Sequence, residues 1–204
     1  MNVLILCNGE APPKKLFEDI LQWADFFIAA DGGANIARNM GHLPDVVIGD
    51  LDSYQSQENE PYDIIHDPDQ YANDLEKALK LAKGKDPNAV NVLGATGRRL
   101  DHTLKNLSVL KQFNNRFDQL VFLDAHGMTK LLPKNYSHNH AIGTALSLFP
   151  LSGKVTGINT RGLKYPLDNG FLENGMHDGT SNTVTERLVS ITHKKGDLLL
   201  FIAH

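Results

Sequence analysis

A single cysteine, Cys7, stands in a chain of 204 residues, which excludes an internal disulfide and any zinc site built on cysteine pairs. Long apolar runs are missing too. The longest, Leu198 to Ala203, has six residues, against the roughly 18 that a membrane-spanning helix needs. The first residues, Met1 to Asn8, carry no basic segment and are too short for a signal peptide. These absences predict a soluble, intracellular, cytoplasmic protein without membrane partners. Nor is there an excess of positive charge. Lys and Arg number 20 against 24 Asp and Glu, a net charge of −4, so no global basic field exists to grip nucleic acid. Internal repeats, low-complexity segments, a Gly-x-Gly-x-x-Gly fingerprint and a nucleophile elbow are all absent.

The acid is concentrated. Between Asp45 and Glu76 stand ten carboxylates and no Lys or Arg. Glu58 and Glu60 lie in the polar run Tyr54 to Pro61 and read as solvated loop. Asp50, Asp52, Asp69 and Asp74 each lie just beyond an apolar run. Carboxylates gathered without a cation repel one another, so a folded cluster points to a bound metal or a cationic partner.

Short apolar runs alternate with helical patterns through the first two thirds of the chain. Val3–Cys7, Phe26–Ala30, Asp45–Ile48, Ile64–Ile65, Val90–Leu93 and Leu120–Leu123 read as strands. Most are continuously apolar, as in a parallel sheet buried on both faces. Helices are expected from Pro13 to Gln22, Ala34 to Met40, Asn73 to Lys83 and Asp101 to Phe113. The pattern is that of a doubly wound, mostly parallel, Rossmann-like α/β domain over residues 1–134. Asn135 to His140 is a polar hinge candidate. Beyond it, β-type runs at Ala145–Phe149, Lys154–Asn159, Thr183–Thr192 and Leu198–Ala203 are separated by Gly, Asn and Asp turns. Residues 135–204 therefore read as a smaller all-β sandwich. Without a disulfide its own core is marginal, and packing against a partner is expected.

Ligands of an open parallel sheet bind beyond the carboxyl ends of its strands. Five successive strand ends carry glycines, carboxylates or arginines: Asn8-Gly9, Asp31-Gly32-Gly33, Gly49-Asp50-Leu51-Asp52-Ser53, Asp67-Pro68-Asp69-Gln70 and Gly94 to His102. Together they look like a polyphosphate and metal site. Gly32 and Gly33 open a helix where backbone N–H groups can meet an anion, although a tight turn capped by Asp31 uses the same residues. In extended backbone Asp50 and Asp52 point to one side, about 6.5–7 Å apart, and can share a hydrated Mg²⁺. A polar turn is the other reading. Asp69 and Asp74 flank a helix start, where Asn73 is a cap candidate. Arg98 and Arg99 follow a Gly-rich turn and precede a helix, which matches phosphate binding as well as a surface pair. The segment is not a P-loop, since no Lys-Ser/Thr follows Gly97.

In this order, Asp31-Gly32-Gly33-Ala34-Asn35, Gly49-Asp50-Leu51-Asp52-Ser53, Asp69-Gln70-Tyr71-Ala72-Asn73-Asp74 and Gly97-Arg98-Arg99-Leu100-Asp101-His102 resemble the motifs of thiamine pyrophosphokinases. Gly162 to Leu167 and Gly179 to Thr183 extend the resemblance over nearly the whole chain. It implies transfer of diphosphate from ATP to the hydroxyl of thiamine, with Mg²⁺, in a homodimer. By resemblance Asp50, Asp52 and Asp74 handle magnesium, phosphates and the reacting hydroxyl, and Asp101 joins them in catalysis. Asn8, Asp31, Gly32, Gly33, Gln70, Arg98 and Arg99 line the nucleotide side, and Asp74, Ser181 and Asn182 approach the thiamine. Arg98 stands where the family has a second glycine, and Asn73 where it has threonine. A related diphosphokinase acting on a pterin alcohol and a non-catalytic Mg-nucleotide or thiamine sensor are the alternatives. A phosphohydrolase built on Asp50-Leu51-Asp52 fits less well, because that loop normally follows the first strand.

Overall fold

The computed structural model describes all 204 residues, in two compact units, Met1–Ala125 and His126–His204. The first unit contains β1 (Asn2–Leu6), α1 (Lys14–Trp23), β2 (Phe26–Ala30), α2 (Gly33–Asn39), β3 (Val46–Gly49), β4 (Asp63–His66), α3 (Asp74–Lys83), β5 (Ala89–Leu93), α4 (Leu100–Phe113) and β6 (Gln119–Leu123). Its strands pair in parallel in the order β6-β5-β1-β2-β3-β4. Continuous apolar runs bury β1 and β3 along most or all of their length, as expected for strands covered on both faces. Leu4, Leu6, Phe27 and Leu93 meet Phe17 of α1 and Ile36 of α2 in one core cluster. α3 buries Leu75, Ala78, Leu79 and Ala82 on one stripe. Its start is set by Asn73, whose Oδ1 accepts the Glu76 N–H at 3.0 Å, so asparagine does the capping work expected of it.

Three local expectations change. β4, expected to be buried, is exposed at all four positions because it is an edge strand with β3 on one side only. Glu60 is not solvated: its side chain is 10 % exposed and pairs with Arg38 of α2 at 3.3 Å. The hydroxyls of Tyr54 and Tyr62 and the N–H of Gln57 also donate to Glu60 Oε1. Glu58 is exposed, as expected. The first unit ends at Ala125 rather than at 134, because the next strand pairs within the second unit.

That unit contains β7 (Gly127–Leu131), β8 (Asn135–Asn139), β9 (Ala145–Pro150), β10 (Val155–Arg161), β11 (Gly170–Leu172), β12 (Gly179–Thr183), β13 (Leu188–Thr192) and β14 (Leu198–Ala203). Antiparallel pairing gives two sets, β12-β9-β14-β7 and β11-β10-β13-β8. Both contribute to one core, with Leu146, Leu148 and Leu200 from the first and Tyr136, Ile158 and Ile191 from the second. The polar segment expected to be a hinge is β8, registered along its whole length against β13. Its side chains other than Tyr136 are exposed, which is why its composition mimics a loop. Thr183–Thr192 is likewise not one run: β12 ends at Thr183 and β13 begins at Leu188.

Burial by itself would raise the Glu60 carboxyl, but Tyr54, Gln57, Tyr62 and Arg38 outweigh it and hold the group below its ordinary 4.5. A lowered folded value makes the contribution complete above the unfolded value and lost as pH falls through the folded one. Glu60→Gln is therefore expected to cost about 2 kcal/mol at pH 7, the scale of hydrogen bonds to a charged group. The gap to wild type closes below pH 4.5, and Glu58→Gln changes nothing measurable. Urea unfolding at pH 7 and pH 3.5 checks this; an equal loss at both would remove the ionic account.

Candidate active site

A pocket of about 530 Å³ lies within the first unit, lined from the ends of β1, β2, β3 and β5 and from the segment between β4 and α3. Asn8, Asp31, Asp50, Asp52, Gln70, Asp74, Arg98 and Arg99 all line it; Gly32, Gly33 and Asp101 do not. Asp31, Asp50 and Asp74 present carboxylate oxygens that all lie within 4.8 Å of one another. Asp31 follows β2 directly, sits in the left-handed region at φ 48° and is 2 % exposed. Its Oδ1 is buried without a hydrogen-bond partner. Burial raises the Asp31 carboxyl, with Asp52 and Asp50 adding to the effect against the Gly32 N–H and the Ser53 hydroxyl. Burial also raises Asp74, reinforced by Asp31 and Asp50 and partly offset by Lys77. Gly49 makes the approach possible. A Cβ there would lie 2.8 Å from the Asp31 Cβ and 3.0 Å from Asp74 Oδ1.

Asp50 and Asp52 are not the extended pair that their spacing suggests. Leu51 lies at φ 64°, which turns the chain so that Asp50 Oδ1 accepts the Asp52 N–H at 3.3 Å. Asp50 thus joins Asp31 and Asp74, while Asp52 is exposed and takes the Ser53 hydroxyl at 2.9 Å. Gln70 Nε2 donates to Asp50 Oδ2 at 3.4 Å. Gly32 and Gly33 serve packing: Cβ atoms there would lie 2.4 Å from Asn8 Nδ2 and 2.0 Å from the Leu6 carbonyl oxygen. Asp101 forms a two-point pair with Arg99, Nε to Oδ1 at 3.1 Å and Nη2 to Oδ2 at 2.5 Å. Asn73 Nδ2 donates to Asn106 Oδ1 at 2.7 Å, and Asn106 Nδ2 to the Ala95 carbonyl at 2.7 Å, tying the α3 start to the loop after β5. In the second unit Ser181 is exposed at φ 59°. Asn182 is buried, its Oδ1 accepting the Tyr165 N–H at 3.0 Å and its Nδ2 donating to the Tyr165 carbonyl at 2.8 Å.

Sequence reasoning missed Lys77. It reads as an ordinary helix cation, yet its side chain is 1 % exposed. Its Nζ donates to the Asp67 carbonyl at 2.7 Å and lies 3.5 Å from Asp74 Oδ1. Lys77 lies off the apolar stripe of α3, so helical periodicity gave no signal of its burial.

Clustered carboxylates and two guanidinium groups thus line one pocket at the strand ends of a parallel α/β sheet, where ligands of such sheets bind. The family model for the thiamin pyrophosphokinase catalytic domain matches residues 17–122, and that for the vitamin B1 binding domain matches residues 135–198. Rice thiamine pyrophosphokinase 1 is 32 % identical over 199 residues, covering 81 % of this chain and 74 % of that protein. Thiamin pyrophosphokinase 1 of Caenorhabditis elegans is 30 % identical over 216 residues, covering 98 % and 88 %. Among solved structures, yeast thiamin pyrophosphokinase superposes with a TM-score of 0.88 at 20 % identity, covering 99 % of this chain and 86 % of that one. The Bacillus subtilis enzyme gives 0.85 at 22 %, covering 100 % and 99 %. The chain belongs to the thiamin pyrophosphokinase family.

Lys77→Met keeps the buried volume but removes the buried cation beside Asp74 and strands the Asp67 carbonyl. It is expected to cost about 3 kcal/mol, the scale of a broken buried pair. Lys14→Met, which removes an exposed pair with Glu18, should cost under about 0.5 kcal/mol. Chemical unfolding compares them; equal costs would mean that Lys77 carries no load in the cluster.

Proposed function

We propose that this chain transfers the β,γ-diphosphate of ATP to the hydroxyl of thiamine, giving thiamine diphosphate and AMP. The observation that carries the reading is the Asp31, Asp50 and Asp74 cluster in a pocket rimmed by Arg98 and Arg99, within a chain matched by both family models. A pterin-alcohol diphosphokinase is not favoured, because the vitamin B1 binding model covers residues 135–198. A non-catalytic sensor is not favoured either, since the carboxylates needed for chemistry are present and assembled.

The donor set suits magnesium. Three carboxylates supply hard oxygens, and the partnerless Asp31 Oδ1 is a buried acceptor awaiting a cation. Asp31, Asp50 and Asp74 would hold the ion, with Asp52 at the rim. Bound there, Mg²⁺ supplies charge neutralisation for the phosphates. The remaining work falls to the chain. Arg98 and Arg99 orient the phosphates, Arg99 being set in place by Asp101, while Asn8 and Gln70 border the nucleotide. Asp74, with its carboxyl raised by burial and two acidic neighbours, accepts the hydroxyl proton as the thiamine oxygen bonds to the β-phosphorus. The bond from that phosphorus to the α,β-bridging oxygen breaks, and AMP leaves with the oxygen. We assign nucleotide and magnesium to the first unit, which we read as a doubly wound sheet, and thiamine to the second, which we read as a β-sandwich. Ser181 would contact thiamine, with Asn182 fixing its strand through Tyr165. We place the enzyme in the cytoplasm, where ATP and a reduced Cys7 both belong.

Incubation with MgATP and thiamine, a pterin alcohol or water tests the reaction. AMP released only with thiamine is expected; ADP or orthophosphate as the product would overturn it. In the same assay Asp74→Asn should lose on the order of 10²-fold or more in kcat, with stability within about 1 kcal/mol of wild type because asparagine keeps the size. A folded Asp74→Asn turning over within a few-fold of wild type would remove Asp74 from the reaction centre.

We infer a homodimer whose thiamine sites use both protomers, from the small disulfide-free β unit and the family pattern. Sedimentation should find a two-fold species. A monomer with full activity at nanomolar concentration would refute shared sites.

A further inference from the structure

Four long cationic side chains line the pocket: Lys77, Arg98, Arg99 and Lys105. Three are committed to carboxylates. Lys77 lies 3.5 Å from Asp74, Lys105 lies 3.4 Å from Glu76, and Arg99 forms the two-point pair with Asp101. Arg98 differs. Its Nη1 donates to the Asn8 carbonyl and to Asn8 Oδ1, both at 3.1 Å and both neutral, and no acid pairs with it. Its full positive charge faces the pocket with most of its donors unspent.

Arg98 also holds a backbone conformation that costs free energy. It lies at φ 52°, directly after Gly97 at φ 81°. The Cβ crowds the following carbonyl oxygen in the left-handed region, which makes it unfavourable for arginine, whereas glycine occupies it freely. An exposed residue in such a conformation, held only by two contacts to a neutral neighbour, is a strain that folding does not repay; strain of this kind gathers at ligand sites. The Asn8 amide packs closely against Gly32, where a Cβ would lie 2.4 Å from its Nδ2. The two bonds to Asn8 hold the guanidinium in one direction before any ligand arrives, which lowers the ordering cost of binding.

We propose that Arg98 is the principal phosphate-gripping guanidinium for the nucleotide in this chain, a determinant placed at a glycine position of the family pattern. The inference rests on the reaction assigned above. The charge of Arg99, by contrast, is already paired with Asp101.

Calorimetry with MgATP in the absence of thiamine tests the role independently of turnover. Arg98→Gly and Arg98→Asn, both at home in the left-handed region, should weaken MgATP binding roughly ten-fold or more, the scale of a lost charge-assisted hydrogen bond. Their melting temperatures should not fall below wild type. Arg98→Lys should recover part of the affinity, and the wild-type advantage should shrink as salt is added. Unchanged MgATP affinity in the two neutral variants overturns the inference, as does a lysine variant no better than asparagine. A wild-type protein that binds MgATP with this arginine dependence but releases no AMP with thiamine overturns the reaction assignment alone.

Discussion

Three carboxylates brought within 4.8 Å at the ends of parallel strands set the terms for the first unit. At an effective dielectric of about 20, two charges at that separation repel by roughly 3 kcal/mol, and three such pairs exceed what a marginally stable domain can ignore. The structure answers in several ways at once. Burial and mutual repulsion push Asp31 and Asp74 toward protonation. Lys77 reaches in from α3 with a buried ammonium. Gly49 removes the Cβ that would block the approach, and Asn73 and Asn106 lock the helix that carries Asp74 to the loop after β5. The devices are spread over the ends of β2 and β3 and over α3 and α4, so the cluster bears on how β2, β3 and α3 meet.

The architecture of the first unit was legible in the sequence because continuous apolar runs and 3.6-residue stripes are local signals. So was the location of the site, since strand ends follow from the strands. What escaped was geometry that depends on single backbone angles or on tertiary burial. Asp50 and Asp52 share a face only in extended chain, and Leu51 at φ 64° breaks that premise. Asp31 looked like a cap or nucleotide contact, yet it is the most deeply buried acid of the trio. Lys77 and Glu60 carry charges that composition assigns to solvent, and only their partners, Asp67 and Asp74 for one and Arg38 with two tyrosines for the other, account for their burial.

The second unit was harder to read for a different reason. β8 and β12 have few apolar residues, and their membership in sheets comes from backbone pairing with β13 and β9. A strand with one apolar position, such as Tyr136, has no alternation to detect. Asn182 illustrates the same point at one residue: it reads as a polar ligand contact, and its amide closes two hydrogen bonds with the backbone of Tyr165, as a neighbouring strand would. Burying an amide is tolerable only with both ends satisfied, so this side chain shapes the loop bearing Tyr165 before it can serve anything else.

The pocket therefore separates its charges by depth. Acid predominates at the floor, where Asp31 is buried and Asp50 and Asp74 partly so, with the Lys77 ammonium beside Asp74. The exposed guanidinium groups of Arg98 and Arg99 lie at the rim after β5. An anion alone is drawn to the rim and repelled by the floor; a cation alone meets the reverse. Only a ligand carrying both, an anion with its own divalent ion, satisfies the two layers together, because each half of the ligand then cancels the charge that would expel the other. The lone acceptor on Asp31 and the uncompensated guanidinium of Arg98 are the two ends of that pairing. On the proposed reading, the preference for a metal-complexed polyphosphate over its parts rests on this layering.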